Sequence, residues 1–254
     1  MAKRFIITFV TVLLFYSNIA FANLNVYFFY PDSPISNLSQ LKKEVDTLFL
    51  NANFKINFQP FIRLSDFKEQ IKKQNNAILL SPEWAMPTKG AGKILLNGFA
   101  HGKPTYDKVL IIKSTSNLTI EQLKGKTHAM TSMGDDVNLF NAAFNNKLTL
   151  NEINVIEVNK DVDAMFAVAL TQVDSALVTE LSLERVKNLN PRIIELIKVI
   201  AKSRPLSLPS IMSSMENGAK KEVKDFVEFM KNLKNRKQNP FLKLLKIDEW
   251  REVK

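Results

Sequence analysis

The strongest constraint on how this chain can fold is a strand–helix alternation that occurs twice along the sequence. In the first unit, short runs of β-forming residues such as 25–30 and 77–80 alternate with segments whose apolar residues recur at helical spacing. A β-α-β-α-β order produces a parallel sheet with right-handed crossovers. A second unit over about residues 114–201 repeats the alternation. The sequence therefore predicts an α/β protein with two lobes and a cleft between them.

Prolines and the last helical segments indicate how the chain divides. Residues 203–209 contain two prolines, which predicts an extended connection, and the helices after it can return to the first unit. We expect residues 23–110 together with 205–254 to form one lobe, and residues 111–204 to form the other. Ligands of open α/β sheets bind beyond the carboxyl ends of the strands, so the predicted site lies between the lobes.

The first 22 residues have the features of a secretory signal peptide. A positively charged start precedes an apolar run over residues 5–16, and Ala-Phe-Ala at 20–22 supplies the small residues of a cleavage site. The alternative is a retained membrane anchor, but this apolar run is shorter than the roughly 20 residues that a spanning helix needs. The sequence therefore predicts export and a mature chain that begins at Asn23.

Composition excludes several kinds of chemistry. The chain has no cysteine, which excludes disulfides, thiolate metal sites and cysteine nucleophiles. Its two histidines, His101 and His128, cannot form a three-histidine metal site, and we expect them to be a solvated loop residue and a structural strand residue. Residues 89–93 resemble a phosphate-binding loop, but Pro87 and Ile94 occupy positions that such a loop needs for glycine and for serine or threonine. We expect no metal and no cofactor.

The chain is strongly basic. Its formal net charge is +10, and removal of residues 1–22, which hold two basic residues and no acidic ones, leaves +8. The charge is spread along the sequence, and the densest run, at 231–237, is typical of the end of a solvated helix. We expect no nucleic-acid partner, although an exported protein that holds an acidic polymer remains an alternative.

Three segments carry a resemblance to a known family. They are DKVLIIKSTSNLTIEQLKGKTHAM at 107–130, DAMFAVALTQVDSALV at 163–178 and SRPLSLPSIM at 203–212. Together they resemble type II periplasmic solute-binding proteins, in particular the phosphate/phosphite/phosphonate-binding branch. The resemblance implies a two-lobed periplasmic-binding-protein-like fold, a small-molecule ligand held between the lobes, a membrane permease or sensor as partner, and a monomer without catalytic activity.

The same resemblance places a ligand-binding cluster after the first strand of the second lobe. Family members have serine or threonine hydroxyls and a glycine there, and this sequence has Thr131, Ser132 and Gly134. The adjacent Asp135 and Asp136 depart from that pattern because carboxylates at a helix start compete with an anion, so an amine-bearing ligand is an alternative. Where the family often has a glycine before V-D-A-A, this sequence has Gln172.

We expect the ligand-binding residues to follow strand ends or to lie at the crossing between lobes. These residues are Ser81, Trp84, Tyr106, Thr131, Ser132, Gly134, Asp174 and Thr179. Structural alternatives stay open for several of them. Ser132 and Thr179 are also suited to cap helices, Trp84 to pack in the core, and Tyr106 to pack at the hinge.

The leading hypothesis is a periplasmic solute receptor of an ABC importer, with a phosphorus oxyanion as its candidate ligand. A ligand-sensing protein that signals to a membrane kinase or cyclase is the alternative. An enzyme that uses a single carboxylate, Glu83 or Glu180, is a third possibility, although the sequence contains no G-x-S-x-G elbow, H-E-x-x-H motif or catalytic triad.

The signal-peptide hypothesis predicts cleavage after Ala22 in a Gram-negative host. Ala22→Leu should block processing because the cleavage site needs a small residue there, whereas Phe21→Leu should leave it intact. Intact-mass measurement of the periplasmic protein checks both. An unshortened wild-type chain retained in the membrane would favour the anchor.

Overall fold

The computed structural model describes residues 24–32, 38–74, 77–86, 92–131, 140–141, 143–213, 221–234 and 239–253. Its strands, numbered along the chain, are β1 (Leu24–Phe28), β2 (Ile56–Pro60), β3 (Ala77–Pro82), β4 (Lys93–Phe99), β5 (Thr105–Tyr106), β6 (Lys108–Lys113), β7 (Thr127–Met130), β8 (Asn154–Glu157), β9 (Ser175–Thr179), β10 (Ile197–Lys202), β11 (Leu206–Ser207), β12 (Pro209–Ser213) and β13 (Glu249–Glu252). Its α-helices are α1 (Leu38–Asn51), α2 (Leu64–Lys73), α3 (Asp161–Ala169), α4 (Glu180–Leu189), α5 (Pro191–Glu195), α6 (Lys221–Asn232) and α7 (Pro240–Leu245).

The first sheet takes its strands from both ends of the described chain. Their order is β13-β4-β12-β3-β1-β2. β1 runs parallel to β2 and β3, as the β-α-β-α-β pattern predicts, whereas β12 and β13 return antiparallel. A glycine is required where this return approaches closely, because a Cβ at Gly98 would lie 2.8 Å from the Pro209 carbonyl oxygen.

Alternate residues of β1 pack into two separate cores. Val26 and Phe28 face the helices α1, α6 and α7, while Tyr27 faces α2 on the opposite side. Successive side chains of a strand point to opposite faces of the sheet. The continuous apolar run of β1 therefore indicates a strand that is covered on both sides.

The second sheet has the order β10-β6-β9-β7-β8. β7 is parallel to β8 and β9, and β6 is antiparallel to β9 and β10. Val109 and Ile111 of β6 pack against α3, while Leu110 and Ile112 pack with Phe140 on the other face. This sheet is therefore also buried on both sides along its central strands.

The two sheets are joined by a short antiparallel ribbon. β5 pairs with β11, so the outgoing and returning chain segments run side by side. The Leu208 amide donates to the Pro104 carbonyl (2.9 Å), and the Ser203 amide donates to the Lys108 carbonyl (2.8 Å). The extended connection predicted from the prolines at 203–209 is confirmed in this ribbon and in β12.

Local signals near the crossing are confirmed. The sequence Thr119-Ile120-Glu121-Gln122 has the pattern of a capping box, with Gly125 suited to end the short helix. In the structure Thr119 and Gln122 form this capping box, and Gly125 has a φ of +74°. The left-handed residue before β9 is Thr171, with a φ of +63°, and not the neighbouring Gln172. A threonine rarely adopts this conformation, which glycine adopts without strain.

Other predicted elements need revision or lie outside the structure. The sequence pattern of residues 193–200 fits either a strand or a helix, and in the structure they form the end of α5 and most of β10. The pattern of residues 241–250 predicts one last short element, which divides into most of α7 and the start of β13. The sequence also predicts a helix at 135–145, and most of these residues lie outside the described part of the chain. Among the helices that the structure describes, none has both the length and the apolar character of a membrane span.

Aromatic packing between α1 and the last helices predicts that alanine substitutions at two neighbouring residues differ sharply in their effect on stability. Phe49 is 1% exposed and contacts the rings of Phe54, Phe226 and Phe241, whereas Leu50 is 70% exposed. Phe49→Ala should lower the free energy of unfolding by about 3–5 kcal/mol, and Leu50→Ala should change it by less than about 0.5 kcal/mol. Urea denaturation measures both, and equal effects would contradict this packing.

Candidate functional site

A buried carboxylate lies where the two sheets meet. Asp32 follows β1, and its Oδ1 accepts hydrogen bonds from Lys108 Nζ (2.7 Å) and from the Thr131 hydroxyl (3.2 Å). Its Oδ2 accepts a hydrogen bond from the Tyr106 hydroxyl. We call these four residues the Asp32 cluster. Three donors, two from neighbouring residues at the crossing and one from the end of β7, thus converge on one carboxylate.

The fold explains why these residues meet. Asp32 lies just beyond the carboxyl end of β1 in the first sheet, and Thr131 directly follows β7 in the second. Tyr106 belongs to the ribbon between the sheets, and Lys108 is the first residue of β6 after the crossing. Residues after parallel strands gather at one edge of a sheet, which is where α/β proteins bind ligands.

The position of Lys108 is further defined through its backbone. Its amide donates to Ser203 Oγ (2.9 Å), and its carbonyl accepts from the Ser203 amide. Its ammonium also lies 3.3 Å from the Thr131 hydroxyl oxygen. The Lys108 ammonium therefore extends from the place where the outgoing and returning chain segments are hydrogen-bonded to each other.

The cluster contains a fully buried ion pair. The side chains of Asp32 and Lys108 are each 1% exposed. Burial by itself raises the pKa of the Asp32 carboxyl, but the charge of Lys108 and the hydrogen bonds from Lys108 and Tyr106 together hold this pKa below its ordinary value. Burial, followed by the charge of Asp32, raises the pKa of Tyr106, which keeps its hydroxyl protonated as a donor.

A second carboxylate lies close to this cluster. Asp161 begins α3, and its Oδ2 accepts hydrogen bonds from the amide (2.9 Å) and the hydroxyl (2.7 Å) of Thr179. Its Oδ1 is buried and has no hydrogen-bond partner within the described part of the chain. Such an acceptor is costly to leave unsatisfied. The arrangement marks a place where a donor on a bound molecule would be favourable.

Electrostatic effects connect the two carboxylates. Burial raises the pKa of Tyr30, and the charges of Asp32 and then Asp161 raise it further. Burial lowers the pKa of Lys246, against the opposing attraction of Asp161 and Asp32. Groups from both sheets and from the C-terminal region therefore influence one another around the crossing. Among the described residues, no group of three or more His, Asp or Glu is placed to hold a metal ion.

Among the residues predicted from sequence, Tyr106 and Thr131 lie in the Asp32 cluster. Ser81 and Trp84 lie at and just beyond the carboxyl end of β3, which is adjacent to β1. The hydroxyl of Ser81 is buried without a partner among the described residues, while the Trp84 ring packs edge-on against Phe29. Trp84 thus makes the core contact that was its structural alternative.

Three further residues that the sequence predicts to bind ligand lie outside the described residues or cap a helix. Ser132 and Gly134 lie outside the described residues, as do Asp135 and Asp136. Thr179 is the N-cap of α4, since its side-chain oxygen accepts from the Ser182 amide (3.2 Å). The capping alternative for Thr179 is therefore confirmed, although this residue also orients Asp161.

The structure does not bring Asp174 to the Asp32 cluster. This residue precedes β9, and its Oδ2 accepts a hydrogen bond from the Thr127 amide (2.9 Å) at the start of β7. β7 and β9 are parallel, so this contact lies at their amino ends. Thr179, at the other end of β9, is five residues or roughly 16 Å further along at about 3.3 Å per residue.

Sequence reasoning missed Asp32, Lys108 and Asp161. Asp32 was discoverable, because it follows a predicted strand as Ser81 does, and the same rule about carboxyl ends applies to it. Lys108 begins a strand, and its residue type gives no sign that its ammonium is buried. Asp161 has the position of an ordinary helix-start carboxylate, so only its unpartnered oxygen distinguishes it.

The two residues named as possible catalytic acids do not form a buried acid site. Glu83 is exposed, and its amide donates to Ser207 Oγ (3.1 Å). Glu180 forms a half-exposed ion pair with Lys202 (3.0 Å). Neither carboxylate takes part in the Asp32 cluster. His128 is buried in β7, as predicted, with Nδ1 2.7 Å from Ser175 Oγ, and burial lowers its pKa to about 4.

The buried ion pair predicts a large and pH-dependent effect of Lys108→Met. Loss of the ammonium leaves the Asp32 carboxylate uncompensated, which should cost about 3–5 kcal/mol at pH 7. Because the folded-state pKa of Asp32 is lowered, the wild-type protein holds this contribution above the unfolded pKa and loses it as the pH falls below about 4. The two unfolding free energies should therefore converge at low pH.

Lys113→Met is the matched control for this experiment. Lys113 ends the same strand and bonds to the Thr171 hydroxyl in an exposed position, so its loss should cost less than about 1 kcal/mol. Urea denaturation between pH 3 and 7 measures both variants. Similar costs for the two lysines would contradict the ion-pair interpretation.

Comparison with known proteins identifies the family of this chain. A family profile described as the periplasmic substrate-binding protein of a phosphonate ABC transporter matches residues 82–254, which is more than half of the chain. No curated protein sequence matches the chain. The profile match covers the crossing, the whole second sheet and the returning strands.

Solved structures share the fold at low sequence identity. A binding-protein component of an ABC phosphonate transporter from Pseudomonas aeruginosa has a TM-score of 0.67 and 18% identity, with 91% of this chain and 81% of that chain covered. A Prochlorococcus marinus protein in complex with methylphosphonate has a TM-score of 0.64 and 10% identity, with 91% and 92% covered. A Xanthomonas citri protein bound to chloride ion has a TM-score of 0.65 and 12% identity, with 91% of each chain covered.

These matches agree with the resemblance seen in the sequence and with the two-sheet α/β architecture. The chain therefore belongs to the phosphonate-binding family of periplasmic substrate-binding proteins, which are the solute receptors of ABC importers.

Proposed function

We propose that this protein binds a small phosphorus oxyanion between its two lobes and presents it to the permease of an ABC importer. The observation that carries this proposal is the convergence of Lys108 Nζ and the hydroxyls of Tyr106 and Thr131 on one pair of carboxylate oxygens. A phosphonate offers oxygens of the same kind. These donors are therefore chemically suited to a ligand's oxyanion.

The chemistry of the three donors fits this role. A buried ammonium attracts an anion strongly because the surroundings have a low effective dielectric constant. Hydrogen bonds to a charged acceptor are shorter and stronger than those between neutral groups. The donors come from the second sheet and from the ribbon, so a ligand that also contacts the first sheet would favour the closed arrangement of the lobes.

Other groups suggest how the remainder of the ligand is held. Asp161 Oδ1 has no partner among the described residues and would accept a hydrogen bond from an ammonium or hydroxyl group of the ligand. The Ser81 hydroxyl, which also has no partner there, would contribute from the first sheet. We include Ser132 and Gly134 in the proposed site because they directly follow Thr131 in the sequence. A ligand with an oxyanion at one end and a donor at the other would use both regions.

The proposal also includes the organisation and location of the chain. Residues 23–110 with 205–254 form the first lobe, and residues 111–204 form the second. Strand membership supports this division apart from the boundary at residue 110, since the first sheet uses strands within 24–99 and 209–252 and the second uses strands within 108–202. The boundary at 110 falls inside β6 (Lys108–Lys113), which belongs to the second sheet, so the first lobe ends before Lys108. Cleavage after Ala22 would release the monomeric receptor into the periplasm, where the family functions.

The proposal predicts saturable binding of methylphosphonate or 2-aminoethylphosphonate to residues 23–254. Thr131→Ala should weaken that affinity by about 10- to 100-fold, because a hydrogen bond to a charged group contributes roughly 1.5–3 kcal/mol. Isothermal titration calorimetry measures this. A ligand effect confined to the aminated compound, and reduced by Asp161→Asn, would support the second contact region.

Asp174→Asn is the matched control, because Asp174 lies at the opposite ends of the strands and asparagine preserves an acceptor for the Thr127 amide. It should leave ligand affinity unchanged. If phosphonates, phosphate and phosphite all fail to bind the wild-type protein, the proposed ligand class is wrong. An equal loss of affinity in both variants would remove the Thr131 assignment.

A further inference from the structure

The proposed oxyanion donors are already occupied by a side chain of the protein itself. Lys108 Nζ, the Tyr106 hydroxyl and the Thr131 hydroxyl all bond to Asp32, whose side chain is 1% exposed. Both oxygens of the carboxylate are used. A ligand oxyanion that takes these donors must therefore replace the Asp32 carboxylate.

We infer that Asp32 is an internal competitor of the ligand's oxyanion and thereby sets the affinity and charge preference of this site. The inference rests on the proposed function in one respect, namely that the ligand uses the donors of the Asp32 cluster. It goes further, because it assigns a role to a residue that does not hold the ligand. The role is to occupy the donors until a more strongly bound anion displaces it.

Charge prevents Asp32 and a ligand from sharing the donors. One buried ammonium neutralises one carboxylate, and a second anion at the same position would meet the first at close range in a medium of low dielectric constant. Tyr106 and Thr131 are neutral, and the nearby Lys246 is attracted by Asp161 as well as by Asp32. Simultaneous occupation is therefore strongly unfavourable compared with exchange of one anion for the other.

The positions of the four residues of the Asp32 cluster indicate which one a ligand would displace. Lys108 begins β6 and is bonded through its amide and its carbonyl to Ser203, and Thr131 directly follows β7. Asp32 instead lies in a turn beyond the end of β1. Displacing Asp32 requires a change in one turn, whereas displacing Lys108 would disturb the crossing between the sheets.

Competition of this kind reduces the apparent affinity of the ligand. The observed dissociation constant equals the intrinsic constant divided by the fraction of molecules whose donors are available. Removal of the carboxylate makes the donors available in every molecule and leaves the Lys108 ammonium without its counter-charge. A bound anion would accept hydrogen bonds from the free donors and would neutralise the ammonium. An Asp32 variant should therefore gain affinity for small anions in general.

The test compares the wild-type protein with Asp32→Ala, in each case as residues 23–254. Calorimetry with methylphosphonate and inorganic phosphate should give dissociation constants at least tenfold lower for Asp32→Ala than for wild type. Acetate, which matches the missing carboxylate, should raise the melting temperature of Asp32→Ala and leave that of the wild-type protein unchanged. The double variant Asp32→Ala/Lys108→Met should lose both effects.

Asp46→Ala is the matched control for removal of a lysine-bound carboxylate. Asp46 pairs with Lys42 (3.0 Å) on the surface of α1, where both side chains are nearly half exposed. Its removal should create no anion site. If Asp32→Ala proves too unstable to purify, Asp32→Asn serves instead, since it keeps the shape of the side chain and removes the charge.

Two results would overturn the inference. Weaker phosphonate binding by Asp32→Ala would mean that Asp32 holds the ligand instead of competing with it. Equal binding by variant and wild type, without stabilisation of the variant by acetate or phosphate, would mean that these donors do not form an anion site.

Failure of the proposed function has a different signature. A wild-type protein that binds no phosphorus oxyanion, together with an Asp32→Ala variant that binds acetate and phosphate, would refute the proposed ligand and support the competition. Wild-type binding that is lost in Thr131→Ala but unchanged in Asp32→Ala would support the proposed function and refute the competition.

Discussion

The buried ion pair between Asp32 and Lys108 is the interaction on which the region between the two sheets depends. An ammonium that is removed from water is tolerated only when a counter-charge and hydrogen-bond acceptors surround it. Here the counter-charge comes from the turn after β1, and the lysine comes from the start of β6. The two sheets are therefore connected at this point by electrostatics as well as by the β5–β11 ribbon.

The scaffold makes this arrangement possible because each sheet is covered on both faces. In β1, alternate side chains pack against α1 on one side and α2 on the other, and in β6 alternate side chains likewise enter two cores. Burial of both faces leaves the strand ends as the places where polar side chains can gather. Thr131 and Asp32 occupy two such ends, and Tyr106 reaches them from the ribbon.

This chemistry has a consequence for a solute receptor. A receptor reports its ligand by favouring one conformation, and the ligand contributes only the difference in its affinity for the two conformations. A site whose donors already bond to an internal carboxylate holds the lobes together before ligand arrives. Ligand binding then depends on exchange of one anion for another, so the charge balance around Lys108 is central to selectivity.

The sequence by itself determined the architecture and part of the site. Hydrophobic spacing determined the strand–helix alternation, the family resemblance indicated the crossing and Thr131, and the carboxyl-end rule selected Ser81, since these signals are local. Asp174 lies at the amino end of β9, away from the Asp32 cluster, because a residue before a strand and a residue after it lie at opposite edges of the sheet. Only the tertiary structure decided that Lys108 is buried, that Asp32 is its partner 76 residues away, and that Asp161 has an oxygen without a partner among the described residues. Burial and pairing depend on which segments meet in space, and a lysine or aspartate looks the same in sequence whether it faces solvent or a buried opposite charge.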